Sequence, residues 1–257
     1  RDYATNWADS NSTNQIPPRR DLQMETVLEI LNGKRFVTCH SYQQGEINML
    51  MQLAVQFGFR INTFTHVLEG YKIAKKLKAH GVSASTFSDW WAYKYEVIDA
   101  IPYNAAMLGE AGVNICINSD DAEMGRRLNQ EAAKGVKYGG MSAEDAFKMV
   151  TLNPAKALHI DEWVGSIAIG KHGDIVVWTD HPLSIYARPQ QTFIDGRRYF
   201  DEEKDLEMRN WVATERKRLI SKILATPEKG KSSMGSGKPH RLYECETRES
   251  DYNQSYE

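Results

Sequence analysis

The sequence predicts an α/β fold made of parallel strand–helix units, four of them in succession. Three observations predict it. Strand-like and helix-like stretches alternate from residue 35 to residue 119, which is the rhythm of parallel βα units. Three of the strand candidates end in the strings Thr38-Cys39-His40, Thr65-His66 and Asn118-Ser119-Asp120-Asp121. These place metal-capable side chains at the carboxyl ends of strands, where parallel α/β architectures keep their sites. Apolar residues make up 41% of the 257, enough for one large domain, or one domain with a small appendage, around a substantial core.

The elements follow in order. Residues 1–20 are polar, with Asn6, Asp9, Ser10, Asn11, Ser12 and the Pro17-Pro18 pair, and read as loop. The opening Arg1-Asp2-Tyr3-Ala4 is neither a methionine start nor a signal peptide, as expected of a processed, truncated or excised chain. A helix runs from about Asp21 to Leu31, with Asp21 as N-cap and Asn32-Gly33 as its stop. Strands are predicted from Arg35 to His40, Phe59 to His66, Val82 to Thr86 and Val113 to Ser119. Helices are predicted from Glu46 to Phe57, Glu69 to His80 and Ala100 to Ala111. Beyond these come a helical stretch from Leu128 to Gly135, a helix capped by Ser142 with Asp145 three residues on, and a short helix started by Asn153-Pro154.

From Val164 to Phe200 the pattern turns to short β segments: Ser166–Ile169, Asp174–Trp178 and Gln191–Ile194. Asp195-Gly196 then turns the chain into Arg198–Phe200. Residues 202–226 read as one long amphipathic helix, and the charged, Ser- and Gly-rich tail that follows reads as disordered. The expected domains are a partial barrel over 1–160, a small β module over 161–200, a C-terminal helix over 201–226 and a disordered tail over 227–257. A closed barrel of this kind has eight strands, so four strands make half of one, and the other half is an expected partner.

Strand parity sharpens the site. Phe36, Thr38 and His40 share one face of the first strand, and Arg60, Asn62, Phe64 and His66 one face of the second. Asn114, Cys116, Asn118 and Asp120 share one face of the fourth, opposite Val113, Ile115 and Ile117. His40, His66 and Asp120 therefore each end the more polar face of a strand. Two imidazoles and one carboxylate, brought together, can hold a divalent metal, zinc above all, and activate water. Each histidine alone is more often a hydrogen-bonded core residue; the joint occurrence favours ligands. Asp120 is the expected proton shuttle, and Asp121 points the other way and caps the next segment. His80 ends a helix and reads as a partner of its dipole. His159, His172 and His181 read as surface residues.

The loop Phe87-Ser-Asp-Trp-Trp-Ala-Tyr-Lys-Tyr95 carries five aromatics. They either wall a substrate pocket, with Trp90 and Trp91 against the substrate, or pack over the absent half-barrel. Arg126 either grips a substrate carboxylate or pairs on the surface. Other function classes lose support. The net charge of −2 gives no global basic field for nucleic acid. The apolar runs are too short to span a membrane. Cys39, Cys116 and Cys245 are odd in number and widely spaced, against a disulfide framework. No phosphate-loop, dinucleotide or nucleophile-elbow motif occurs.

The run Thr151-Leu-Asn-Pro-Ala-Lys-Ala-Leu-His-Ile160, followed by Gly165-Ser-Ile-Ala-Ile-Gly-Lys-His-Gly-Asp-Ile-Val-Val177 and Phe193-Ile-Asp-Gly196, resembles the C-terminal signature of the amidohydrolase superfamily. It is especially similar to the imidazolonepropionase-like branch, which includes amidases, dipeptidases and deaminases. The resemblance covers roughly residues 20–200. It implies the C-terminal half of a (β/α)8 metallo-hydrolase barrel, strands 5–8, with a small β-sandwich. It implies that His40 is the strand 5 ligand, His66 the strand 6 ligand and Asp120 the strand 8 aspartate. One or two zinc ions and a small-molecule or peptide-like substrate are implied with them. The reaction is hydrolysis of an amide, cyclic amide or dipeptide C–N bond, with deamination, or a non-catalytic barrel fragment, as alternatives. The family's strand 1 His-x-His and its strand 4 bridging residue have no counterpart among the seven histidines, His40, His66, His80, His159, His172, His181 and His240, or elsewhere. Trp211 and the long helix offer a surface on which an oligomer can form.

Overall fold

Short β-prone runs, each followed by a helix that stops on glycine, generate the repeating unit. The computed structural model describes residues 2–13, 16–88, 90 and 92–225; Trp91 and the expected tail, 227–257, lie outside the described residues. Four strands, β1 (Val37–Ser41), β2 (Ile61–His66), β3 (Ser83–Thr86) and β4 (Asn114–Ile117), pair in parallel in the order β1-β2-β3-β4. The N-terminal residues expected as loop instead form α1 (Asp2–Thr13). No glycine or proline interrupts that stretch, and Tyr3 and Trp7, one turn apart, pack edge to face at 6.3 Å. Helix α2 (Leu22–Leu31) starts where expected, with the Asp21 carboxylate accepting from Gln23 N–H and Met24 N–H.

Helices α3 (Gln44–Phe57) and α4 (Ala74–His80), the latter led in by a 3-10 turn over Gly70–Ile73, and α5 (Asn104–Glu110) cover one face of the sheet. Gly58 and Gly81 end α3 and α4 in left-handed conformations, φ 80° and 76°. The core lies between sheet and helices. Ile61, Phe64, Ala84, Ile115 and Ile117 meet Ile47, Met51, Leu77 and Leu108, all buried. Beyond β4 come α6 (Ala122–Gly125), α7 (Leu128–Gly139), α8 (Ala143–Lys148) and α9 (Leu152–Ala157). The Ser142 hydroxyl accepts from Asp145 N–H at 3.0 Å, as the capping pattern predicts. The chain from the end of α8 into α9 closes the β4 edge: Ile117 N–H donates to Met149 O, and the Asn153 amide donates to Ile115 O.

Simple alternation fails in β2. Val37 pairs with Ile61, but Thr38 pairs with Thr63, so Asn62 is an extra residue. The predicted shared face of Asn62, Phe64 and His66 is therefore corrected. Phe64 turns to the helices and is fully buried, while Thr63 and Thr65 line up with Thr38 and His40. In β4 the predicted split holds, with Ile115 and Ile117 in the core and the Asn114 amide bonded to the Ser83 hydroxyl on the opposite face.

His80 also departs from expectation. Its Nε2 accepts a hydrogen bond from Ile61 N–H at 3.1 Å, so the ring is held neutral and is not a cationic dipole partner. Burial, with Arg60 nearby, lowers its pKa from 6.5. The unfolded chain then binds a proton that the folded chain resists. Stability is expected to be fully present above pH 6.5 and to fall as pH drops below it. Urea midpoints at pH 7.5 and 5.5 check this: His80→Gln should flatten the difference, and an unchanged slope in the variant would refute it.

Among the described residues, 120–123, 172–181 and 186–225 form a second compact unit. Its sheet is antiparallel, in the order β5 (Ile175–Trp178), β6 (Pro189–Ile194), β7 (Arg197–Asp201), followed by α10 (Glu202–Leu224). Asp195 and Gly196 both take positive φ, 50° and 74°, which is the two-residue hairpin turn the sequence predicts. The expected sandwich is thus a single three-stranded sheet among the described residues. Ser166–Ile169, predicted as a strand, is not one. The chain from Asp161 to Ser166 instead wraps the Lys171 ammonium, which donates to Asp161 O, to Val164 O at 3.3 Å and to the Ser166 hydroxyl at 2.8 Å.

Candidate active site

The carboxyl ends of β1 and β2 bring the two candidate histidines together. His40 is the penultimate residue of β1 and is exposed; His66 ends β2 and is buried. His40 Nδ1 and His66 Nε2 lie 2.8 Å apart, one donating to the other. Register alone would turn His66 toward the helices with Phe64. Its backbone takes φ 78°, and Val67 follows at φ 48°, two successive non-glycine residues in the left-handed region. That conformation is costly, above all for a β-branched valine. It brings the His66 ring to meet His40.

The surroundings hold this turn in place. Val67 N–H donates to Ser41 O at 2.9 Å, and Glu69 N–H to Tyr42 O at 3.2 Å. The buried Glu69 carboxylate accepts from Gln44 N–H at 3.0 Å, at the start of α3. Asn104, 2% exposed at the head of α5, is the central tie. Its amide nitrogen donates to Val67 O at 2.9 Å and to the Thr86 hydroxyl at 3.1 Å, and its oxygen accepts from Tyr71 N–H at 2.9 Å. Sequence reasoning missed Asn104, because it falls inside the helix predicted from Ala100 to Ala111 and no local pattern marks it.

A line of aromatic rings continues from the histidines. Tyr42 stacks on His66 at 4.5 Å with the planes 2° apart, and Phe87 lies 5.1 Å from His66. Trp90 stacks on Phe87 at 4.7 Å, and its indole N–H donates to Met124 Sδ at 2.9 Å. The loop after β3 is also pinned to α7, where the Ser88 hydroxyl donates to the buried Glu131 carboxylate and Lys134 pairs with it at 2.8 Å.

The other predicted residues are placed as follows. Asp120 lies three residues beyond β4, half-buried, in the second unit. Asp121 accepts from Glu123 N–H at 2.8 Å, the capping role expected of it. Arg126 is exposed. Burial raises the Cys39 thiol pKa and pushes the Cys116 thiol up to about 12, so both stay protonated and neither offers a thiolate. His159 is exposed, stacked on Phe36 at 3.9 Å and bonded to Asn62. His172 and His181 are exposed as expected.

Among the described residues no three His, Cys, Asp or Glu side chains gather as a metal-binding group. The histidine pair itself fits a metal. Two nitrogens bound to one tetrahedral zinc stand about 3.3 Å apart, a small opening from the observed 2.8 Å. Asn118, which follows β4, also buries a side-chain oxygen that accepts no hydrogen bond among the described residues, an acceptor left for a ligand.

Residues 37–199 match the Amidohydrolase family, more than half of the chain. The chain belongs to that family. Amidohydrolase tasK of Hapsidospora irregularis is 30% identical over 187 residues, 71% of this chain and 19% of that protein. An imidazolonepropionase of Thermoplasma volcanium is 25% identical over 172 residues, 63% of this chain and 42% of that one. The crystal structure of an amidohydrolase from Thermotoga maritima MSB8 has a TM-score of 0.68 and 28% identity, covering 78% of this chain and 54% of the other. This amidohydrolase chain therefore spans about half the length of that structure and less of the two relatives. Its four parallel strands are a partial (β/α) barrel, as predicted, accompanied by a small antiparallel sheet.

Proposed function

We propose that this chain supplies part of the active site of a metal-dependent hydrolase that cleaves carbon–nitrogen bonds in amides or cyclic amides. The observation that carries the reading is the His40–His66 pair, two imidazole nitrogens 2.8 Å apart on neighbouring strand ends, held by a strained backbone. Strain of this kind is retained where a site needs it. Family membership supports the same class of chemistry. His40 and His66 hold the metal, and the residue types favour zinc. Asp120 is proposed as a further ligand from its place in the sequence. A bound zinc supplies an acidified water, pKa about 7, and polarises the scissile carbonyl.

The chain's own residues do the rest. Asp120 takes a proton from the attacking water and returns it to the leaving nitrogen. The Phe87–Trp90 stack walls one side of the rim and keeps water from the reacting carbonyl.

Zinc titration followed by calorimetry tests the reading. His40→Ala and His66→Ala are each expected to weaken binding on the order of 100-fold or more, and Asp120→Asn to a smaller degree. Equal affinity in the His40→Ala, His66→Ala double variant would sink the proposal. With zinc present, a panel of N-substituted amides and aminopurines separates hydrolysis from deamination: new carboxylate is expected, without free ammonia.

A further inference from the structure

Lys94 places a cation at the edge of the histidine rim. Its ammonium stands 3.8 Å from the Tyr42 ring centroid and 5.6 Å from that of Tyr93. The same Tyr42 ring stacks on His66 at 4.5 Å. One step of 3.8 Å and one of 4.5 Å thus join an ammonium to a metal-capable imidazole. Other lysines of the same unit spend their charge on carboxylates: Lys72 on Glu69 and Asp99, Lys134 on Glu131, and Lys148 on Glu144 and Asp145. The Lys94 ammonium lies against these two rings, and no carboxylate pairs with it among the described residues.

We propose that Lys94 is a specificity-determining residue that binds a carboxylate of the substrate, so that the substrate class is an amide bearing a free carboxylate close to the scissile bond. A cation held against ring faces keeps its full charge and its N–H donors. The rings fix the position of Nζ, so little side-chain freedom is left to lose when an anion arrives. A carboxylate there gains a charge-assisted hydrogen bond at the margin of the site. The two contacts on the Tyr42 ring, 3.8 Å and 4.5 Å, put Nζ no more than about 8 Å from the His66 ring, a span that a substrate passing the edge of Tyr42 bridges when its carboxylate is a few bonds from its carbonyl. N-acyl amino acids have this spacing.

The reaction named here rests on the hydrolase reading, but the binding does not, and the test is made on binding. Zinc-free protein in chelator is titrated with N-acetylglycine and with N-acetylglycinamide, followed by the broadening of the acetyl methyl resonance. The expected result is that the wild type binds the anion about tenfold more tightly than the amide. Lys94→Met and Lys94→Gln bring the two together, Lys94→Arg keeps the preference, and added salt weakens it. A wild type with no preference overturns the proposal without any variant. So does a preference that survives in whichever of Lys94→Met and Lys94→Gln folds. Because no metal or turnover is involved, a chain that fails to bind zinc but keeps a Lys94-dependent preference sinks the hydrolase reading and leaves the anchor standing.

Discussion

Asn104→Ala is expected to lower the unfolding free energy by about 3 kcal/mol. The side chain is 2% exposed and uses both its amide donors and its oxygen. Alanine takes the acceptor from Tyr71 N–H, leaves Val67 O with only the Gly70 N–H, and opens a void beside Thr86. An orphaned group costs about 1–3 kcal/mol, and domains of this size hold only about 5–15 kcal/mol in total. Asn104→Asp is the informative companion. It keeps the acceptor for Tyr71 N–H but sets a carboxylate against the carbonyl of Val67, so it is expected to be no better than alanine. Urea denaturation gives the loss directly. Because Val67 O is the atom released, the His66 turn loosens as well, and zinc affinity is expected to fall even though no ligand has changed. A variant with wild-type midpoint and wild-type zinc affinity would show that the turn is held by something else.

Gly139→Ala is expected to cost about 2 kcal/mol. Alanine in a helix is ordinarily better than glycine by about 1 kcal/mol, so the sign is the test. A Cβ at residue 139 would lie 2.1 Å from Ala106 Cβ and 3.5 Å from Ala106 Cα, which forces α5 and α7 apart. Overpacking of this kind costs about 1–3 kcal/mol, occasionally more, and outweighs the propensity gain. Removing the opposing methyl with Ala106→Gly is expected to recover most of the loss in a double-mutant cycle, giving a coupling energy of about 1–2 kcal/mol. Additive losses would place the cost outside this helix crossing.

Much of the parallel sheet was legible because each unit repeats a local signal: a β-prone run, an amphipathic stretch and a glycine stop. His40 and His66 were legible for the same reason, as polar residues at strand ends. What was hidden depended on geometry that no local pattern encodes. The bulge at Asn62 leaves a β-prone sequence on either side, so alternation counted through it gives the wrong face for Phe64. The left-handed backbone at His66 and Val67 is imposed by tertiary hydrogen bonds, against the preferences of both residues. Lys94 was hidden in an aromatic run whose rings drew notice, while the cation's value depends on Tyr42, 52 positions earlier in the chain. Helix α1 was hidden because polar residues read as loop where neither glycine nor proline breaks them.

The bulge in β2 has a consequence for how such a chain can change over time. It divides one short strand into two segments with independent phase. The lower segment, through Ile61, is matched to the core, and the upper segment, through Thr65, is matched to the rim. Losing the single codon for Asn62 would force one of the two segments to present its wrong face. Substitutions within either segment have no such reach. The site and the interior are free to drift separately so long as that one insertion is inherited.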